Sequence, residues 1–218
     1  MNIQPYIINE IEIPETTSKI GDLQSILDQV SYTHIPVQNK GIYVGSMSEN
    51  DIHSFDASKT VEHYHYALEG FFARESDNWL DVLHAFSRNQ CNIIPVLDEE
   101  NKYLGYVELH DIMNLFTETP FLNNPGGILI VEKGYKDYSF SEICQIVESN
   151  GAHVLGAFLS NIEDDLAQIT VKTGITPINT LLQTFRRYGY KVISSHQEDS
   201  YSADLKDRSR YLDKYLNI

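Results

Sequence analysis

Two short polar turns hold the residues whose types and spacing suit binding chemistry. The first runs Gly45-Ser46-Met47-Ser48-Glu49-Asn50-Asp51, the second Gly105-Tyr106-Val107-Glu108-Leu109-His110-Asp111. Both start on glycine and end on aspartate, and Ser48 supplies a hydroxyl where the second turn has Glu108. Such carboxylate and hydroxyl oxygens accept hydrogen bonds from a small polar ligand, or cap the helix that follows. No Ser-His-Asp order, paired-carboxylate motif or Gly-rich phosphate loop accompanies them. His63 and His65 have strand spacing, with His53 nearby, but no Cys or His partner follows at a recognisable spacing. Solvated or packing histidines therefore fit better than metal ligands.

The turns belong to a larger repeat. Ile35-Pro36-Val37, Tyr43-Val44-Gly45 and Asp51-Ile52 return as Ile94-Pro95-Val96, Tyr103-Leu104-Gly105 and Asp111-Ile112, offset by 59 residues at the prolines and 60 at the glycines and aspartates. One supersecondary unit built twice gives such self-similarity. Two ligand-binding halves are expected, not an enzyme with one catalytic centre.

Helical spacing over Ile20, Leu23, Ile26, Leu27 and Val30 precedes the first pair of strands, which runs Thr33 to Val37 and Gly41 to Gly45. In the second copy Ser76 is the expected helix cap and Trp79, Val82, Leu83 and Phe86 the apolar stripe. Strands over Asn92 to Leu97 and Lys102 to Val107 follow, then a helix from about Leu109 to Phe116.

Pro120 to Gly127 reads as a linker. Beyond it come a strand at Ile128 to Val131 and a helix whose Ser139 and Glu142 have capping-box spacing. Strands over Ala152 to Ser160 and Leu166 to Lys172, a helix with Thr176 as cap and Pro177 at its first position, and a strand at Tyr190 to Ser194 complete this part. That order is the ferredoxin-like βαββαβ pattern. The predicted fold class is α+β, with a charged helical tail at 197–218.

The chain has 218 residues, 42% hydrophobic and 22% charged, with net charge −15. Such acidity repels a phosphate backbone, so a nucleic-acid partner is not expected. No stretch approaches the roughly 20 apolar residues of a spanning helix, and no secretory signal opens the sequence. The location expected is cytoplasmic, with no membrane partner. Cys91 and Cys144 stand singly in apolar segments, as buried reduced thiols do.

The repeated block, residues 1–118, resembles a tandem CBS domain (a Bateman module), with the first domain at about 1–60 and the second at about 61–118. The resemblance rests on the two Ile-Pro-Val strands and the Gly-x-x-Ser/Thr-x-x-Asp turns, the second turn departing at Glu108. After a linker at 119–126, residues 127–196 resemble the ACT domain by element order. The combination resembles the acetoin-utilisation AcuB type as an architecture.

The resemblance implies a non-catalytic regulatory protein, a homodimer that senses an adenosine-containing ligand and acts on a partner enzyme. It implies no catalytic cofactor, only a regulatory adenosine nucleotide. Asp51 would hold the ribose and Ser48 would lie near phosphate, with Gly45 in the same turn and Asp111 in the second; Thr16, Thr17 and His34 would stand near base and sugar. A carboxylate can accept from both ribose hydroxyls, and a helix start can receive a phosphate oxygen. Lys59 and Arg74 are the candidate phosphate cations, whereas Glu108 would repel phosphate. In the ACT-like part, the loop Gly134-Tyr135-Lys136-Asp137-Tyr138 is the candidate effector loop: Asp137 would receive an amino group and the Ser139 helix start a carboxylate. A surface loop and a dimerising sheet form the other reading. A protein-interaction module without a nucleotide stands beside the sensor as an alternative.

Overall fold

The computed structural model describes residues 3–197. The chain divides into two compact units, Met1–Phe116 and Thr117–Ile218. The tail expected to be helical lies outside the described residues.

In the first unit, α1 (Ile20–Leu27) buries Ile20, Leu23 and Leu27, the stripe its spacing predicts. The antiparallel hairpin β1 (His34–Asn39) and β2 (Ile42–Ser48) follows, and then the short α2 (Glu49–Ser54). A 3-10 helix over Val61–Ala67 leads to β3 (Ala73–Arg74). The second copy consists of α3 (Trp79–Asn89), β4 (Ile93–Leu97), β5 (Tyr103–Glu108) and α4 (Leu109–Thr117). Asn78, not the expected Ser76, caps α3, its side chain accepting from the Leu80 and Asp81 amides.

The hairpins match residue for residue. His34 pairs with Ser48 and Pro36 with Ser46 in the first; Ile93 pairs with Glu108 and Pro95 with Tyr106 in the second. Each hairpin shifts register at the same place, between Val37 and Gln38 and between Val96 and Leu97. The motif glycine sits beside each shift. A Cβ on Gly105 would stand 2.5 Å from the Ile8 carbonyl oxygen, and one on Gly45 2.8 Å from the Leu68 Cβ. Glycine is needed here because another segment of chain crosses the hairpin at contact distance.

Those crossing segments are exchanged between the copies. Ile8 bridges to Tyr106 of the second hairpin, and Glu15 then bridges to Gln38 of the first. Glu69 bridges Ser46 of the first hairpin, and β3 then pairs in parallel with β4 of the second. The cores follow the exchange: Ile3, Tyr6 and Ile7 pack with the second copy, Val61, Tyr64 and Leu68 with the first.

The second unit opens with a helical turn, α5 (Pro120–Asn123), where the sequence reads as linker. Its Phe121 ring packs on Gly156 and 5.9 Å from the Phe158 ring. Then come β6 (Gly127–Gly134), α6 (Phe140–Ser149), β7 (Val154–Glu163), β8 (Leu166–Thr173), α7 (Ile178–Arg187) and β9 (Lys191–Gln197). The strands form one antiparallel sheet in the order β7-β8-β6-β9. Ala167, Ile169 and Val171 alternate into a core with Ile143, Ile146, Leu181 and Phe185 from the helices, as period-two patterning requires. The Ser139 hydroxyl caps α6 by accepting from the Glu142 amide, whereas α7 starts after Pro177 with no side-chain cap.

Candidate functional site

The first turn brings His34, Ser48 and Asp51 together. Ser48 is the residue before α2: its hydroxyl accepts from the Asp51 amide at 3.2 Å and donates to the Asp51 carboxylate at 2.9 Å. The hydroxyl and carboxylate oxygens thus form a half-buried cluster at the end of the hairpin. His34, opposite Ser48 in the ladder, is buried; its Nδ1 meets the Thr33 hydroxyl at 3.0 Å and its Nε2 faces Glu69 at 3.5 Å. The Phe71 ring stands edge-on to it at 5.1 Å. Below lie Ser46, fully buried, and Cys91, whose thiol burial pushes up to about 11. A thiol held protonated by burial is a packing group, not a nucleophile.

The remaining expected residues are elsewhere or already engaged. Thr16 donates its amide to the Gln38 carbonyl, which places it and the exposed Thr17 at the opposite end of β1 from Ser48. Four residues of strand separate the two ends, about 13 Å. Arg74 is spent on the second hairpin: its guanidinium donates to the Asp98 carbonyl and to Asn101 Oδ1, and lies 4.7 Å over the Phe72 ring. Lys59 is exposed and its carbonyl receives the Ile20 amide. His63 and His65 fall in the 3-10 helix, not a strand, and 3-10 geometry turns residues two apart to different sides. Among the described residues no group of three His, Cys, Asp or Glu side chains could hold a metal ion, and no helix is long and apolar enough to cross a membrane.

In the second turn Asp111 occupies the first turn of α4. Glu108, at the register position of Ser48, accepts from the Tyr32 hydroxyl at 2.5 Å, and that hydroxyl is also 3.1 Å from the Tyr106 hydroxyl. The Tyr32 and Tyr106 rings meet edge-on at 5.6 Å. Burial first, and then the bond to Glu108, raise the Tyr32 phenol pKa.

Between the turns lies a reciprocal contact that single-residue reading missed. The Thr33 amide donates to Asn92 Oδ1 at 2.9 Å, and the Asn92 amide donates to the Thr33 hydroxyl at 3.1 Å. The same exchange recurs at the hairpin tips: Tyr43 donates to the Asn101 carbonyl and Tyr103 to the Gly41 carbonyl, both at 3.2 Å. The two copies are thus related by an approximate local two-fold. The 59-residue offset would have paired Thr33 with Asn92, had it been extended beyond the hydrophobic positions.

In the second unit, Asp137 lines a cleft of about 790 Å³ with Glu132, Lys133, Gly134, Gly189 and Lys191. Glu132 is buried, accepting from Gln168 and Lys191, and these bonds hold its carboxyl below the usual range. The Ser139 amide donates to the Tyr190 hydroxyl at 3.3 Å, so that part of the helix start is already satisfied.

Comparison with known proteins agrees with the first unit. Residues 71–118 match the family model of the CBS domain, so the chain carries at least one such domain. An uncharacterized protein of Methanocaldococcus jannaschii is 22% identical over 142 residues, which are 65% of this chain and 52% of that protein. The match thus spans about half the length of that relative. Among solved structures, a CBS domain pair/ACT domain protein of Thermotoga maritima superposes with a TM-score of 0.50 at 23% identity, covering 54% of this chain and 98% of that one. CBSX2 in complex with AMP superposes with a TM-score of 0.47 at 16% identity, over 54% of this chain and 96% of that one. The Thermotoga likeness shows a shared fold, that of a protein containing a CBS domain pair.

Proposed function

We propose that this protein is a non-catalytic sensor whose CBS pair binds an adenosine-containing ligand: AMP, ADP, ATP, NAD or S-adenosylmethionine. The observation that carries the reading is the first turn, where Asp51 and Ser48 sit 2.9 Å apart beside His34. An aspartate there can take both hydroxyls of a ribose, and the turn's hydroxyl can take a phosphate oxygen. Ligand binding would favour one arrangement of the two copies, which meet through the Thr33 and Asn92 bonds. The second unit is read as ACT-like: its element order and its sheet order β7-β8-β6-β9 support a ferredoxin-like fold. Its proposed roles are assembly of a homodimer and relay of the signal to a regulated enzyme.

A thermal-shift screen against these compounds and common amino acids tests the reading. A ligand that binds only the folded form adds about 2.7 kcal/mol of apparent stability at 100 times its dissociation constant. An adenosine compound should raise the melting temperature, and Asp51→Ala should abolish the shift without lowering the unliganded midpoint by more than a few degrees. A shift with an amino acid alone would move the site to the cleft at Asp137. A second reading, a protein-interaction module without a nucleotide, is supported by the local engagement of Ser48 and Asp51 as a helix cap. A folded sample that responds to none of these compounds would favour it.

A further inference from the structure

We infer that the second turn is shut by the chain's own side chains, so that the pair takes one adenosine-type ligand, at Asp51, and not two; the stoichiometry rests on the sensing reading above. The hairpin registers make the comparison position by position. Where the first copy has Ser46 and Ser48, the second has Tyr106 and Glu108. Where the second turn meets Tyr32, the repeat offset puts Cys91 at the first. Small groups at the first turn are thus matched by two tyrosines and a glutamate at the second.

The three side chains hold one another. The Tyr32 hydroxyl donates to the Glu108 carboxylate at 2.5 Å, a charge-assisted bond stronger than a neutral one. Tyr106 has no exposed surface, its hydroxyl meets that of Tyr32, and the two rings pack edge to face. A ligand entering here would have to break the bond to Glu108, move a fully buried ring, and bring any phosphate against a carboxylate. The first turn also has a bond to open, from Ser48 to Asp51 at 2.9 Å, but it has Ser46 where the second has the buried Tyr106 ring, and Cys91 at the repeat position of Tyr32. The departure of the second turn from Ser/Thr thus has a positive role: Glu108 is the acceptor that fixes Tyr32. Tyr32 precedes Thr33 directly, so the closure also ties the first copy to the second beside the reciprocal Thr33 and Asn92 contact.

Two measurements on the full chain test this. A melting cycle of Tyr32→Phe, Glu108→Gln and the double variant addresses the closure without any ligand. Tyr32→Phe removes the donor, and Glu108→Gln keeps the shape but removes the charge that strengthens the bond. The double variant should melt no lower than the less stable single variant; additive losses would overturn the closure. Calorimetric titration with AMP and with ATP then addresses stoichiometry. One equivalent per chain, lost in Asp51→Ala, is expected; two equivalents, or one equivalent that survives in Asp51→Ala, would overturn the single-site inference. If neither AMP nor ATP binds, the adenine-nucleotide form of the sensing reading fails, and the melting cycle alone decides whether the second turn is closed.

Discussion

Asn92 accepts from the Thr33 amide and hydroxyl and donates to the Ser31 carbonyl at 2.7 Å. Removing it leaves the partly buried Thr33 amide without a partner, a change that costs about 1–3 kcal/mol, whereas the exposed Ser31 carbonyl turns to water. Asn92→Ala should therefore lower the denaturation midpoint of the first unit. Surface alanines such as Ser87→Ala should move it by less than about 0.5 kcal/mol. Equal effects from the two would show that the reciprocal contact does not hold the copies together. The candidate site divides at this scale too. Asp51 and Ser48 were legible because turn chemistry is local, and their spacing of three residues predicts both the cap and the shared hydrogen bond. The position of Thr16 and Thr17 at the far end of β1 from Ser48 was not legible, because nothing local says which end of a strand an incoming segment will meet.

Elements carry the next set of constraints. The two hairpins were readable from alternation, turn residues and repetition, but the crossing of segments over their glycines was not. Gly105→Ala would put a Cβ 2.5 Å from the Ile8 carbonyl oxygen. Amide exchange at Ile8 and Tyr106, which bond each other across that crossing at 2.9 and 2.8 Å, should accelerate in the variant. Unchanged exchange there would mean that the crossing tolerates the methyl group. In the second unit, β6 and α6 are joined by Lys133, which donates to Glu142 at 2.7 Å and lies 4.4 Å over the Tyr190 ring. The lysine holds the Glu142 carboxyl below its ordinary range. A depressed carboxylate stabilises the fold above its unfolded pKa, and that contribution disappears as pH falls through the folded value. Lys133→Met should be less stable than wild type at neutral pH, and the gap should narrow as pH falls from the ordinary glutamate range, about 4.3, toward about 3. A gap independent of pH, by denaturant titration at both values, would assign the loss to the cation over the ring. The short helix α5 escaped sequence reading for a different reason. Its four residues have too little periodicity to register, and Phe121 is held by Gly156 and Phe158, far along the chain.

For the whole molecule the dominant long-range term is the net charge of −15. Self-repulsion of this size opposes compaction and is screened within about 10 Å at 0.1 M salt. The melting temperature should accordingly rise as sodium chloride goes from low concentration to about 0.5 M, with no detectable binding to duplex DNA at the low-salt end. A melting temperature that falls with salt would mean that attractive pairs such as Lys133 with Glu142 outweigh the repulsion. By itself the sequence determined the repeat, the two hairpins with their closing helices, the α+β class and the order of elements along the second part, because alternation, caps and turn residues act over a few neighbouring positions. Tertiary structure alone decided that the copies exchange their incoming segments, that Thr33 and Asn92 meet across a local two-fold, and that Tyr32 closes on Glu108. The Thr33 and Asn92 bonds and the Tyr32 to Glu108 bond join residues 59 or more positions apart, and only the packing of one copy against the other brings them together.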